Sequence, residues 1–304
     1  MYNGIINVYK EAGFTSHDVV AKLRGIFGQR KIGHTGTLDP AATGVLPVCL
    51  GQGTKLVDMI TDRSKVYEAR VLLGVTTDTE DTTGNETGRC ELAGDFFDGD
   101  AGELECRIKE VLDGFVGGYE QIPPMYSAIK KDGKRLYELA REGKEIERSA
   151  RNVQIHSIEL VSVELPYFTM RVHCGKGTYI RSLCRDIGEK IGCGACMDAL
   201  CRTRVGRFGL EEALTLEKLQ GLKDEGRLSE VVIPVDVMFE EYEPVNVPEK
   251  YAKLIKNGNK VNSSVCDGLY SPVRMYCDGT FYGIYELDDK KKEYYPVKMF
   301  ACGE

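Results

Sequence analysis

The amino-acid sequence predicts an α+β protein that ends in a small β-rich domain. Segments with the apolar alternation of strands are separated by segments in which apolar residues recur at helical spacing. The composition changes where Pro244 and Pro248 fall close together, and three further strand-like segments follow. We therefore expect a first domain over residues 1–244 and a second over residues 245–304.

The composition is that of a globular protein. The 304 residues include 42% apolar and 29% charged residues, and no segment reaches the roughly 18 consecutive apolar residues of a membrane span. The start of the chain lacks the basic segment, apolar run and cleavage site of a secretory signal. We therefore expect a cytoplasmic protein that does not interact with membranes.

Charge is distributed unevenly along the chain. The formal net charge is −7, which argues against nonspecific binding of nucleic acid. Residues 78–105 contain ten acidic residues and one basic residue, whereas residues 130–151 contain eight basic and five acidic residues. Residues 171–207 contain eight basic and three acidic residues. The two basic tracts could hold an anionic polymer on one face. They could also simply solvate a surface, and composition alone favours that interpretation.

The first predicted elements are a strand, a helix and a loop. Residues 5–8 form a short apolar strand, and Thr15 offers an N-cap for the helix that follows. The apolar residues of that helix recur at the spacing of one buried face: Val19, Val20, Leu23, Ile26 and Phe27. Residues 28–55 contain six glycines and two prolines, too many for a regular element, so we predict a structured loop there.

The middle of the chain alternates strands with helices. We predict a strand over residues 66–73 and an exposed connection over residues 84–102. An amphipathic helix then buries Leu104, Ile108, Val111 and Leu112. The tail contains three strand candidates, at residues 273–276, 281–287 and 294–300.

A second amphipathic helix follows residues 170–174, which alternate as in a half-buried strand. Its apolar stripe is formed by Ile180, Leu183, Cys184, Ile187 and Ile191. Arg181 and Arg185 lie four residues apart on the opposite face and are therefore neighbours.

Eleven cysteines are scattered along the chain, and several occupy apolar-face positions, as expected of reduced thiols. Cys193 and Cys196 have the spacing of metal ligands, but no second pair and no histidine at finger spacing accompany them. A structural role for this pair is favoured over zinc binding or redox chemistry.

The densest functional signal is the segment GHTGTLDPAATGVLPVCLG at residues 33–51. Its glycines permit tight turns, and Pro40 restricts Asp39 toward an extended conformation. Asp39 is the only acid in the segment and is flanked by apolar residues, which suits a nucleophile or base in a water-poor site. Phosphate-binding glycine patterns are missing, and His34 and Asp39 supply too few metal ligands. The pattern alone fits a structural turn as well as a catalytic loop.

The same segment resembles, almost letter for letter, the catalytic loop of the TruB family of bacterial tRNA pseudouridine synthases. Other segments resemble that family in the same order, from about residue 4 to about residue 240: GFTSHDVV, KVYEARVLLGVTTDTEDTTG, QIPPMYSAIKKDGKRLYELAREG, CGKGTYIRSLCRDIGEKIGCGA and LCRTRVGRFGLEEALTLEKL. The resemblance implies the pseudouridine synthase fold, a large mixed and mainly antiparallel sheet flanked by helices. It also implies isomerisation of the T-loop uridine at tRNA position 55 to pseudouridine. The segment NVYKEAG departs from the family pattern beside Lys10, at Tyr9 and Glu11, and touches no catalytic position.

The resemblance also implies roles for individual residues. Asp39 is expected to be the nucleophilic carboxylate, Tyr67 to stack on the target base and Arg181 to pair with the carboxylate. Contacts with the substrate are implied for a larger set: Lys10, His34, Lys130, Arg135, Lys176, Tyr179 and Leu200. Residues 124–151 resemble an insertion that closes over RNA, and the tail resembles a short PUA-type RNA-binding domain.

The physical chemistry of these residues agrees with those roles. A base inside a stacked RNA loop must be extruded before a side chain can reach it, and an aromatic face such as Tyr67 replaces the lost stacking by about 1 to 3 kcal/mol per base. Arg181 can hold Asp39 ionised and oriented. Without the resemblance, the pattern favours a core position for Tyr67 and a solvated helix face for Arg181, and His34 could simply bind the turn.

We expect tRNA, bound through its T-stem-loop, to be the partner of a monomeric enzyme that needs no guide RNA, cofactor or metal. A guide-RNA-dependent enzyme of the dyskerin type shares GTLDP, but it usually carries a lysine and a β-branched residue in place of Ala41 and Ala42. A non-catalytic protein that assists tRNA folding is the alternative from another class. The presence of Asp39, Tyr67 and Arg181 argues against that as the sole role.

Overall fold

The computed structural model describes residues 1–92, 101–131, 133–144, 146–266, 268 and 270–300. In chain order its strands are β1 (Gly4–Lys10), β2 (Ile32–His34), β3 (Thr43–Leu50), β4 (Lys65–Leu73), β5 (Val75–Thr77), β6 (Glu86–Arg89), β7 (Gly117–Gln121), β8 (Lys130–Lys131), β9 (Lys134–Arg135), β10 (Arg151–Glu164), β11 (Tyr167–Cys174), β12 (Ala195–Val205), β13 (Phe208–Gly209), β14 (Glu243–Asn246), β15 (Val261–Asn262), β16 (Val273–Cys277), β17 (Thr280–Asp288) and β18 (Glu293–Met299). The helices are α1 (Ser16–Phe27), α2 (Val57–Thr61), α3 (Ala101–Asp113), α4 (Leu136–Arg141), α5 (Ile180–Ile191), α6 (Leu216–Asp224) and α7 (Ala252–Lys256).

Half of these strands join one large sheet. Its strand order is β1-β3-β12-β4-β11-β10-β7, with β2 beside β3 and β13 beside β12. The pairing of β3 with β12 is parallel, and the other pairings in the sheet are antiparallel. This arrangement confirms the expected α+β fold with a large, mixed and mainly antiparallel sheet.

Two groups of helices cover one face of the large sheet. Helices α3 and α5 pack on β4, β10, β11 and β12 around one apolar core, and α1 and α6 pack on β1 and β3 around another. Tyr67, Arg202 and Gly44 are register partners on neighbouring strands, and partners in register point to the same face. They therefore lie on the face of the sheet that the two helical groups cover.

Local sequence signals explain why the main helices begin and end where they do. The Thr15 hydroxyl accepts from the backbone of Asp18, whose carboxylate accepts from the Thr15 backbone, and this capping box begins α1. Gly28 and Gly192 adopt left-handed conformations that end α1 and α5. The helices expected in both regions are confirmed, as are the strand at β4 and the tail strands at β16, β17 and β18.

The prediction of a loop over residues 28–55 was wrong for part of that segment. Strands β2 and β3 lie within it, and β3 is buried on both faces. Burial on both faces removes the apolar alternation that identifies a strand in a sequence. Gly44 has a φ of 107°, and a Cβ at this position would lie 2.2 Å from the carbonyl oxygen of Arg202. This glycine lets β12 approach β3 closely.

The exposed connection expected over residues 84–102 is partly regular. Strand β6 lies within it and pairs with β5 in a small two-stranded sheet. Residues 93–100 of this connection lie outside the described residues, and α3 begins at Ala101.

The C-terminal strands form a separate sheet with the order β14-β16-β17-β18-β15. The expected domain boundary after residue 244 falls inside β14, because β14 pairs with β16 over Glu243–Asn246. Phe281 and Phe300 lie against Phe239, with ring centroids 6.3 and 5.6 Å away. Within the described ranges, no helix is both long enough and apolar enough to cross a membrane.

Candidate active site

The loop that carries Asp39 joins β2 to β3 and is tied to the N-terminal part of the chain. The backbone N–H of Leu38 donates to Ser16 Oγ at 3.0 Å. The backbone N–H of Gly13 donates to the carbonyl of Pro40 at 2.9 Å. Both contacts flank Asp39, so the start of α1 and the turn before it fix the position of the carboxylate.

Lys10 supports the same loop from the buried side. Its side chain is fully buried, and its ammonium donates to the carbonyls of Glu11 (3.1 Å), Pro40 (3.2 Å) and Ala42 (2.6 Å). Burial lowers the pKa of Lys10 to about 8, although the nearby Asp39 carboxylate opposes that shift. All three N–H donors of the ammonium bind protein carbonyls, and the expected contact between Lys10 and a substrate stays a prediction.

An ion pair joins Asp39 to Arg181 in the first turn of α5. Arg181 Nε lies 2.9 Å from Asp39 Oδ2, and the same guanidinium donates to the carbonyls of Thr79 (3.1 Å) and Tyr126 (2.8 Å). Asp81 Oδ2 lies 3.8 Å from Arg181 Nε. The side chain of Arg181 is 7% exposed and that of Asp39 is 41% exposed. A fixed, buried cation therefore orients a carboxylate that a substrate can reach.

Tyr67 lies on β4 beside this ion pair, and its side chain is buried. Burial raises the pKa of its phenol, and the neighbouring Arg202 guanidinium opposes that shift. The net shift is upward, so Tyr67 is protonated at neutral pH. The Tyr67 ring belongs to the same apolar core as Leu38 of the Asp39 loop.

Arg202 is a further residue of the site, and its position in the sequence assigns it no role. It is 1% exposed, and its Nε donates to the carbonyl of Val45 at 2.8 Å. Its Nη2 has no hydrogen-bond partner among the described residues. The signal that could find it is the register of Tyr67 with Arg202 across β4 and β12, and only the pairing of the strands reveals that register.

Lys10, Lys65 and Arg202 are buried cations, and the charge of Arg202 acts on both lysines. Lys65 donates to the carbonyls of Thr61 and Arg63, and burial lowers its pKa to about 8. In the part of the chain that the structure describes, none of the three cations forms an ion pair, and backbone carbonyls accept from each of them. Their summed positive charge favours the binding of an anionic ligand near them.

Three further predicted residues lie near residues of the Asp39 site. The rings of His34 and His17 pack edge to face, with centroids 5.1 Å apart. Burial lowers the pKa of His34, and the charge of His17 lowers it further. Tyr179 precedes α5, and its backbone N–H and carbonyl both bind the Gln121 amide, at 2.9 and 3.0 Å. Leu200 lies on β12 and packs against the core that contains Tyr67. Their roles toward a substrate stay predictions.

The remaining predicted cations lie away from these buried contacts. Lys176 Nζ is 3.0 Å from Asp62 Oδ1, and both side chains are exposed. Lys130 is exposed on the β8–β9 hairpin of the insertion. The guanidinium of Arg135 donates to the hydroxyl of Tyr137 at 3.0 Å. These three residues could therefore contact a large ligand, but they do not contact the Asp39 side chain or its loop.

The cysteine pair singled out by its spacing is buried. Burial raises the pKa of the Cys193 and Cys196 thiols, which disfavours reactive thiolates at neutral pH. Over the described stretches of the chain, no group of three or more histidine, cysteine or carboxylate side chains is arranged to hold a metal ion.

Comparison with known proteins gives consistent matches along the chain. A family model described as TruB family pseudouridylate synthase (N terminal domain) matches residues 24–180, and one described as tRNA pseudouridylate synthase B C-terminal domain matches residues 181–240. The chain is 51% identical to the tRNA pseudouridine synthase B of Lachnoclostridium phytofermentans, over 98% of this chain and 99% of the relative. It is 44% identical to that of Clostridium tetani, over 97% of this chain and 98% of the relative.

Among solved structures, the chain is similar to one described as a Cbf5-Nop10-Gar1 complex, with a TM-score of 0.69 and 26% identity over 98% of this chain and 85% of that one. The fold, the Asp39 site and the family models thus agree on one family. The chain belongs to the TruB family of pseudouridylate synthases and is a pseudouridine synthase.

Proposed function

We propose that this enzyme converts the T-loop uridine at tRNA position 55 to pseudouridine, and that Asp39 is its catalytic nucleophile. The observation that carries the proposal is the Asp39–Arg181 ion pair, in which a buried guanidinium orients an exposed carboxylate. A nucleophile requires such an ionised group in a fixed geometry. The names of the relatives, tRNA pseudouridine synthase B, support tRNA as the substrate.

The proposed reaction is an isomerisation. The bond between uracil N1 and the ribose breaks, the uracil turns, and a new bond forms between uracil C5 and the ribose. The C5 proton is lost and N1 gains one, so atoms and charge balance without water, cofactor or redox partner. A single carboxylate is sufficient for this chemistry, in contrast to the two carboxylates of glycoside hydrolysis.

The surrounding residues have proposed tasks in binding. The target base is extruded from the RNA stack and rests on Tyr67, whose ring is fixed by the core around it. His34, Tyr179 and Leu200 line the pocket for the extruded nucleotide. Lys130, Arg135 and Lys176 contact the RNA backbone from exposed positions.

A guide-RNA-dependent enzyme is the second candidate, because the chain shares its fold with the Cbf5 protein of a multi-protein complex. The relatives that match at 41–51% identity cover nearly the whole chain and carry the name of tRNA enzymes. We therefore propose a stand-alone monomer that acts in the cytoplasm, where tRNA is processed. Light scattering of the purified protein, and fractionation of cells that produce it, test these two points.

The decisive experiment incubates the purified protein with an unmodified tRNA transcript and maps pseudouridine at single-nucleotide resolution. We expect one new pseudouridine, in the T loop, without guide RNA or cofactor. A transcript with cytidine at that position, and the Asp39→Asn protein, are the matched controls. Binding of tRNA without product would contradict the proposal and favour the guide-dependent enzyme or a non-catalytic RNA-binding protein.

A further inference from the structure

Glu80 is buried beside the site, and the proposed chemistry does not use it. Its φ is 64°, a left-handed backbone conformation that non-glycine residues rarely adopt, and it is only 8% exposed. A residue stays in such a conformation only where its surroundings hold it there. The contacts of Glu80 therefore identify what the surrounding structure requires of it.

Both carboxylate oxygens of Glu80 bind helix α5. Ser182 Oγ donates to Glu80 Oε2 at 2.6 Å, and Arg185 Nη1 donates to Glu80 Oε1. Ser182 immediately follows Arg181 in the sequence, and Arg185 lies one turn further along the same helix. The carboxylate thus binds two residues, Ser182 and Arg185, next to the position on α5 from which the Arg181 side chain extends.

The backbone around Glu80 is attached to β12 and to Arg181. The carbonyl of Glu80 accepts from the backbone N–H of Met197 at 3.0 Å. The preceding carbonyl, of Thr79, accepts from Arg181 at 3.1 Å, and the following side chain, Asp81, lies 3.8 Å from Arg181 Nε. Glu80 therefore lies between two groups that contact the guanidinium of Arg181.

We propose that Glu80 is a positioning residue for the pseudouridine synthase reaction. Its carboxylate clamps α5 to the segment 79–81 and so holds Arg181 in the orientation that pairs with Asp39. Glu80 acts through Arg181 and does not itself touch the substrate. The kinetic part of this inference rests on the proposed function, whereas the structural part does not.

The main test is the Glu80→Gly variant. Glycine adopts a left-handed conformation without strain, so this change removes the carboxylate while it relieves the backbone. We expect kcat to fall by about 10- to 100-fold, because small misplacements of reacting groups have effects of that size. We expect KM and the Kd for tRNA to change by less than about twofold, because the carboxylate does not touch RNA.

Three further variants separate positioning from a merely structural effect. Glu80→Gln keeps an acceptor for Arg185 and offers an amide to Ser182, so we expect it to restore kcat to within about threefold of the parent. Ser182→Ala removes one donor, and we expect its effect to disappear in a Glu80→Gly background. Glu189→Gln is the matched control, because this exposed carboxylate lies 3.9 Å from Arg185 Nε without holding α5, and we expect no change.

A readout that needs no activity is the Nε–H signal of Arg181 in nitrogen-15 NMR spectra, assigned by its loss in Arg181→Lys. We expect Glu80→Gly to accelerate exchange of this proton with water by at least about tenfold, and Glu189→Gln to leave it unchanged. An unchanged signal in Glu80→Gly, or an unchanged kcat, overturns the inference. A wild-type protein that is inactive on tRNA, with faster proton exchange in Glu80→Gly, contradicts the proposed substrate but supports the positioning of Arg181 by Glu80.

Discussion

The Asp39 site and the basic insertion hold their charges in opposite ways. At the Asp39 site, cations such as Lys10 and Arg202 are buried and bind backbone carbonyls of their own chain. In the insertion, Lys134 and Lys144 share the carboxylate of Glu142 at 3.0 and 2.8 Å, and both lysine side chains are more than half exposed. The first arrangement sets a geometry before any ligand arrives. The second leaves long side chains free to exchange partners, because exposed ion pairs contribute little to stability.

This difference separates two functions within one protein. Buried, carbonyl-bound cations suit the orientation of a reacting group, since their position does not depend on the ligand. Exposed cations suit contacts with phosphates, which position an RNA and make its affinity depend on salt. We therefore expect substitutions at the Asp39 site to change kcat, and substitutions in the insertion to change binding.

The largest effect is expected for Asp39→Asn. The amide has nearly the shape of the carboxylate but is a poor nucleophile, so we expect kcat to fall by at least about 10³-fold. The exposed cations of the insertion remain, so we expect the Kd for tRNA to stay within about twofold. Single-turnover formation of pseudouridine and filter binding measure the two quantities. A loss of affinity as large as the loss of rate would contradict the expectation that the Asp39 site affects kcat and the insertion affects binding.

Arg181→Lys is expected to have the next largest effect. Lysine keeps the charge but lacks the planar fork that contacts Asp39, Thr79 and Tyr126 together, so we expect kcat to fall by about 10²-fold. The control is Arg171→Lys, an exposed arginine that contacts Glu159 on the other face of the sheet, which should leave kcat unchanged. Equal losses in both variants would show that the effect is not specific to the site.

A smaller effect is expected for the double variant Lys130→Ala and Lys131→Ala. Both side chains are exposed on the insertion hairpin, so we expect KM to rise by about 3- to 10-fold with little change in kcat. The slope of log affinity against log salt concentration should fall by about 1 to 2, one for each lost phosphate contact. A fall in kcat at saturating tRNA would show that the insertion also shapes the reacting geometry.

The smallest effect concerns stability and pH. Burial lowers the pKa of Lys10 from its ordinary value of 10.5 to about 8 in the folded protein, so between these values the unfolded chain binds more protons. The free energy of unfolding therefore rises with pH through this window, and Lys65 contributes in the same direction. In Lys10→Met, we expect a smaller rise between pH 8 and pH 10 in urea denaturation experiments. An identical rise in both proteins would show that Lys10 titrates normally.

Helices and tail strands were predictable because their signals are local. The helical spacing of Ile180, Leu183 and Ile187 identifies α5 directly, since each residue is close in sequence to the others on its face. Strand β3 was not predictable from periodicity, because apolar residues line both of its faces. Its glycine at position 44 indicated a turn, whereas the structure uses it for the close approach of β12.

Some residues of the candidate site were also predictable from local motifs, whereas others were not. Asp39 and Arg181 were identified through motifs, and the structure brings their side chains to 2.9 Å. The burial of Lys10 beneath the loop was not predicted, because the sequence does not indicate which carbonyls fold against an ammonium group. Arg202 and Glu80 lie within segments that resemble the family, but the sequence assigned them no role, since their importance depends on strand register and on a left-handed backbone.

By itself, the sequence determined the helices, the family and the carboxylate at the centre of the site, because each of these depends on residues that are close together along the chain. Only the tertiary structure decided how that carboxylate is held. Lys10, Glu80, Arg181 and Arg202 come from distant parts of the sequence and meet through strand pairing and helix packing. Contacts between residues so far apart leave no periodic pattern, because burial and geometry select them after the chain has folded.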